Sequence, residues 1–283
     1  MSRIYSKKDN DIYSHYTTLR TKQNLEHVDY MLEKYCSPSA LTIKMDLWDV
    51  FDKLNTVFVD KSDPDLPGIS NDYHAIQTAE GIRNNNGPEW MQLVGLLHDL
   101  GKIIYIKGCD EDGTTVNNQW SIGGDTFIVG CEIPSSTVFP ELNALNIINQ
   151  SSNNTKCGIY DQNCGLDSCK ASFGHDEYMY RVLMNMLNNH CNDKNEFNNG
   201  ETYEYLRMIL YVIRWHSLYP WHTHESYSHL TNNTDRKMLP YLKEFCKYDL
   251  YTKSNEKYEL NKDTKQYYTN LMLKYFGTTI LFF

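Results

Sequence analysis

No stretch of this 283-residue chain approaches the roughly 20 consecutive apolar residues needed to cross a bilayer, so no membrane-spanning helix is expected. The opening residues, MSRIYSKKDNDIYSHY, lack the apolar segment of a secretory signal, which makes the cytoplasm the expected location. Basic charge is scarce: 27 Lys and Arg face 36 Asp and Glu, for a net charge of −9. A nucleic-acid partner is therefore not expected, because displacing counterions from phosphates needs a basic face. The eight cysteines form no CxxC pair, and Cys157, Cys164 and Cys169 are not spaced as a zinc site. Ordinary reduced thiols are expected, not a disulfide framework. There is no internal repeat and no linker that would split the chain, so residues 1–283 are read as a single domain.

What is present is helical periodicity. Leu47, Phe51, Leu54 and Phe58 recur at three- and four-residue steps. The two prolines and the glycine of DKSDPDLPGIS, residues 60–70, mark a loop, after which Asn71 or Asp72 can cap a helix through HAIQTAEGIR. Pro88 opens a further helix predicted to run through EWMQLVGLLHDLGKIIYI. From about Lys107 to Ser172 the chain is rich in Gly, Asn, Ser and Cys and loses its period. It reads as a long irregular insert, and such inserts in compact domains are usually functional. Helical patterns return at residues 176–187, 202–215, 239–247 and 264–276, and the final TILFF is expected to dock on the core. The fold class is all-α.

Ionisable residues stand out where the surroundings are apolar. His98 and Asp99 lie in LVGLLHDLGK, where each needs a partner because an unpaired polar group in an apolar helix is costly. A shared metal would satisfy both, and so would a buried His–Asp hydrogen bond. His74, His175, His216 and Asp249 occupy similarly apolar or aromatic contexts. Taken singly, His175 reads as a helix cap, His216 as a cation at a helix end and Asp249 as an ion-pair partner. Together the six give four imidazoles and two carboxylates. That set has too few oxygens for Ca2+ or Mg2+ and none of the thiolates of a structural zinc site. It suits iron, manganese or catalytic zinc, and a bridging carboxylate would let it serve two metals. Of the other histidines, His15, His27, His190, His222, His224 and His229, only the HxH of WHTHES suggests a ligand pair, and it falls in an expected loop.

HAIQTAEGIR, LVGLLHDLGK, GGDTF, GHDEYMYRVLM, IRWHSLYPWHT and DLYTK resemble, in order and spacing, the signature segments of the myo-inositol oxygenase family. The resemblance runs from about Ser2 to Phe276. It implies a single helical domain, a divergent member of the HD-domain superfamily, that cleaves the ring of myo-inositol with O2 to give D-glucuronate and water. It implies a mixed-valent Fe(II)/Fe(III) di-iron cofactor. His74, His98 and Asp249 would hold the first iron, His175 and His216 the second, and Asp99 would bridge them. Lys102 would be the catalytic acid–base group. Substrate contacts would come from Arg3, Asp60, Ser62, Lys102, Gly124, Asp125, His216, Ser217 and Lys253. The partners implied are myo-inositol and O2, and the expected state is a monomer. One departure is Leu19 where the family has a tyrosine in its first helix, with Tyr16 one turn away. The bland reading of Lys102 is a solvent-exposed helix lysine. The rivals to the oxygenase are a metal-dependent phosphohydrolase with the same H…HD…D core and a binding protein that kept the fold without catalysis.

Overall fold

A computed structural model describes residues 10–57, 71–190, 200–251 and 260–283. Its helices in chain order are α1 (Asn10–Lys22), α2 (Leu25–Cys36), α3 (Leu47–Val57), α4 (Asn71–Asn84), α5 (Glu89–Leu97), α6 (His175–His190), α7 (Gly200–Trp215), α8 (Tyr219–His222), α9 (Asn233–Tyr251) and α10 (Lys262–Phe276). The one sheet among the described residues is a two-stranded antiparallel ribbon of β1 (Lys44–Asp46) and β2 (Ile280–Phe282), with Met45 opposite Leu281. The all-α class holds. The expected docking of the last residues takes this form, with Leu281 and Phe283 fully buried. Among the described residues no helix is long and apolar enough to cross a membrane.

Local chemistry sets the helix starts. Asn24 accepts the His27 amide at the head of α2, and Asn261 accepts the Thr264 amide at the head of α10. Pro88 precedes α5, where the missing amide hydrogen costs nothing. α5 is apolar all round and buried from Trp90 to Leu97, so it forms the centre of the molecule. α4, α7, α9 and α10 all pack against it. Leu47, Phe51 and Leu54 close the core from α3. The predicted partner Phe58 and the Asp60–Ser70 loop lie outside the described residues.

Two readings change. The helix predicted from Pro88 through Ile106 is two elements: α5 stops at Leu97, and a 3-10 segment follows over Leu100–Lys107. The tighter winding starts where the Lys102 amide bonds to the Asp99 carbonyl. Gly101 explains the switch. A Cβ there would lie 2.0 Å from the His175 carbonyl oxygen, so only glycine lets this turn abut the start of α6. The second change concerns WHTHES: His222 ends the short helix α8 and does not sit in a loop.

The segment between the 3-10 turn and α6 is irregular as expected. It holds three short 3-10 turns, at Pro140–Leu145, Ile147–Gln150 and Leu166–Ser168, and one bridge pairing Ile128 with Ala171. It is nonetheless well packed: Ile122, Phe127, Ile128, Cys131 and Leu166 are all buried in the main core. The described cysteines are free thiols, and Cys191 lies outside the described residues.

Candidate metal centre

Four helices and one turn deliver the six ligand candidates to one point. His74 comes from α4, His98 and Asp99 from the break after α5, His175 from the first residue of α6, His216 from just past α7, and Asp249 from α9. Every one of them is buried. Their ligand atoms fall into two trios, His74 with His98 and Asp99, and Asp99 with His175 and His216. Asp99 belongs to both, and its two oxygens divide between them. Oδ1 lies 3.1 Å from His175 Nε2, whereas Oδ2 lies 3.5 Å from His98 Nε2 and 4.0 Å from His74 Nε2. Asp249 closes the first trio, with Oδ1 at 3.0 Å from His74 Nε2 and 3.4 Å from His98 Nε2. His175 and His216 face each other Nε2 to Nε2 at 3.2 Å.

The imidazoles are oriented from behind. The Nδ1 atoms of His98, His175 and His216 contact the carbonyls of Gly95, Ile122 and Ile213 at 2.9, 2.7 and 2.7 Å. A carbonyl only accepts, so each Nδ1 carries the hydrogen and each Nε2 turns a lone pair into the site. His98 Nε2 has no hydrogen-bond partner, although it is buried. A buried acceptor left unmatched is rare in a folded protein and points to a missing partner. Two lone pairs facing each other at 3.2 Å also need something between them or beside them. The donor set of neutral imidazole and carboxylate fits a first-row transition metal.

Electrostatics support the same reading. Burial works against ionisation of Asp99, yet Lys102, His98 and His175 hold its carboxyl well below the usual range. Burial likewise opposes the Asp249 charge, but its hydrogen bond with His74 and the nearness of His98 keep that carboxyl well below its ordinary value. Burial together with repulsion from His98 and His175 pushes His216 well below the ordinary imidazole value, so it is neutral and able to coordinate. Burial also opposes the charge on His98, but Asp99 and Asp249 outweigh it and raise its pKa, so a metal ion at Nε2 would bind in place of a proton.

Of the remaining sequence candidates, Lys102, Gly124, Asp125 and Ser217 lie among the described residues. Lys102 is buried, not solvent-exposed, and its Nζ donates to Asp99 Oδ2 at 3.0 Å. The exposed-lysine reading fails because the 3-10 turn points the side chain inward. Gly124 has φ +117, a backbone conformation that favours glycine, and a Cβ there would meet Leu19 Cδ1 at 2.6 Å. Leu19 and Tyr16 are both buried beside it. Asp125 is buried, and its Oδ2 accepts from the Val138 amide at 2.9 Å. Ser217 is buried, and its carbonyl accepts from the Thr126 amide at 3.1 Å, tying the GD segment to the residue after His216. Arg3, Asp60, Ser62 and Lys253 lie outside the described residues.

His222 is not brought into either trio. Its Nε2 contacts the His216 carbonyl at 2.9 Å, so it braces the turn that carries a ligand candidate. Sequence reasoning missed Tyr219, whose hydroxyl donates to Asp249 Oδ2 at 3.2 Å. No periodic signal marked it, because α7 ends at Trp215 and Tyr219 opens a separate short helix.

Comparison with known proteins follows the same lines. A profile of the family described as myo-inositol oxygenase matches residues 9–282. An inositol oxygenase of Dictyostelium discoideum is 40% identical over 282 residues, covering 97% of this chain and 87% of that protein. One of Danio rerio is 40% identical over 271 residues, covering 93% of this chain and 86% of that protein. The human protein of the same name is 37% identical over 264 residues, covering 92% of this chain and 84% of its own length.

Proposed function

The chain belongs to the myo-inositol oxygenase family, and from that premise we propose that it is a di-iron oxygenase cleaving the ring of myo-inositol with O2 to give D-glucuronate and water. The observation that carries this reading is the division of Asp99, one oxygen toward each trio of buried ligand atoms. A carboxylate placed so is suited to bridging two ions. In this reading His74, His98 and Asp249 hold one iron, His175 and His216 the other, and Asp99 both. Bound iron would supply Lewis acidity and the one-electron redox chemistry that O2 activation requires and zinc lacks.

The chain's own residues do the rest. Lys102 Nζ, 3.0 Å from Asp99 Oδ2, is set to stabilise the oxygen that a ring hydroxyl leaves on losing its proton and, in its neutral form, to take that proton up. Asp125 is a buried acceptor for a hydroxyl hydrogen, and Gly124, packed against Leu19, permits the positive-φ backbone that leads into it. Ser217, next to His216, adds a further hydroxyl contact, and Arg3, Asp60, Ser62 and Lys253 complete the substrate set. Such a site rejects analogues lacking a hydroxyl, because its polar groups would then be left unpaired. The electrons leaving the substrate match those that one O2 accepts, so no external reductant is consumed. The described elements around the centre share one core, which favours a single catalytic domain over residues 1–283. We further take the enzyme to act as a monomer in the cytoplasm, with myo-inositol and O2 as its partners.

The test is O2 uptake by iron-loaded protein given myo-inositol. Uptake with stoichiometric D-glucuronate is expected. Phosphate release from nucleotides without O2 uptake would instead favour a metal-dependent phosphohydrolase.

A further inference from the structure

Arg20, in the last turn of α1, is fully buried. Its Nη2 donates to the Val138 carbonyl at 2.9 Å and stands 3.4 Å from Asp125 Oδ1. The guanidinium lies over the Phe127 ring, 4.7 Å from its centre. Its Nε and Nη1 have no hydrogen-bond partner among the described residues. Val138 grips both members of the pair, its amide holding Asp125 Oδ2 and its carbonyl holding Arg20.

Packing stability does not account for this arrangement. An ion pair withdrawn from water contributes little net stability, and an apolar side chain of similar size would fill the space as well or better. Two unmatched donors make the stability argument weaker still. What the arrangement does supply is a fixed position for the Asp125 carboxylate. Each of its oxygens is fastened, Oδ2 by a backbone amide and Oδ1 by a cation, so the remaining lone pairs keep fixed directions. The next residue, Thr126, donates its amide to the Ser217 carbonyl, which ties this segment to the turn that carries His216.

We propose that Arg20 is a positioning residue for Asp125, orienting its carboxylate toward a hydroxyl of the bound cyclitol and so setting affinity for the polyol. This inference rests on the reading that Asp125 contacts myo-inositol.

The test uses iron-loaded protein with the variants Arg20→Met, Arg20→Lys, Asp125→Asn and the double variant Arg20→Met/Asp125→Asn. Calorimetric titration with myo-inositol under anaerobic conditions reads binding apart from turnover, and steady-state kinetics gives KM and kcat. Arg20→Met should weaken myo-inositol binding about 30-fold, as expected when one member of a buried charge pair is removed, with the loss carried chiefly by KM. Arg20→Lys keeps the charge and should recover part of it. The double variant should bind no more weakly than Asp125→Asn alone, because Arg20 acts through Asp125. Wild-type affinity in Arg20→Met, or losses that multiply in the double variant, would overturn the inference. Should Arg20→Met fail to fold, the double variant removes both charges and its comparison with Asp125→Asn still decides. Wild-type protein that does not bind myo-inositol, or Asp125→Asn that binds it normally, would remove the underlying reading and this inference together.

Discussion

His222 shows how a single buried side chain near the centre works without being a ligand. Burial pushes its pKa from 6.5 down to about 4, while its bond to the His216 carbonyl opposes that shift. A neutral His222 donates through Nε2 to that carbonyl and can accept from Thr223 Oγ1 at 3.1 Å through Nδ1. Between pH 6.5 and 4 the unfolded chain therefore binds more protons here than the folded one, so folding stability rises with pH across that window. The contribution is complete above about pH 6.5 and is lost as pH falls toward 4, amounting to about 3 kcal/mol. Urea denaturation of wild type and of His222→Gln across this range should give curves that diverge with that sign, the variant losing less stability on acidification. Parallel curves would mean that His222 is not neutral in the folded protein. At this scale the sequence was most informative for groups whose chemistry is unusual in their surroundings. The imidazoles and carboxylates of the six ligand candidates stand out from apolar helices. Arg20 and Tyr219 did not, because an arginine at a helix end and a tyrosine in an aromatic stretch have ordinary explanations until their partners are known.

At the scale of elements, the centre depends on a break between two turns of chain. Periodicity predicted one long helix from Pro88, since the apolar run continues through Ile106 and an amphipathic period cannot register a change from α to 3-10 winding. The cause is tertiary: the His175 carbonyl oxygen occupies the space that a Cβ on residue 101 would need. Gly101→Ala should therefore cost about 3 kcal/mol or more, at the upper end for an overpacked site, because the clash is with backbone and cannot relax by a rotamer change. It should also displace His175, so iron binding should weaken in the same variant. Denaturation midpoints and metal titration check both, and a stability loss under about 1 kcal/mol would contradict the packing argument. α3, α4, α6, α7 and α10 were legible from their periods with starts and ends within a few residues, whereas α9 was read short at both ends and α1, α2 and α8 were not read as helices. The irregular segment between the 3-10 turn and α6 was legible as irregular, but not its burial. Its core contacts come from isolated residues such as Phe127 and Leu166, which follow no period.

For the molecule as a whole, four separate helices and one turn converge on a centre that no one of them could form. The ligand candidates span residues 74 to 249, and bringing them together fixes α4, α5, α6, α7 and α9 about one point. Their order along the chain was readable, and the resemblance supplied their division between two positions. The distances supply what neither could, namely that the Asp99 oxygens separate the two trios. The most direct measurement of this account is the iron content of protein reconstituted without oxygen, for wild type and for Asp99→Ala. Two irons per chain are expected in the wild type, and loss of at least one on removing the shared carboxylate. One iron or none in the wild type, or two retained in Asp99→Ala, would contradict it.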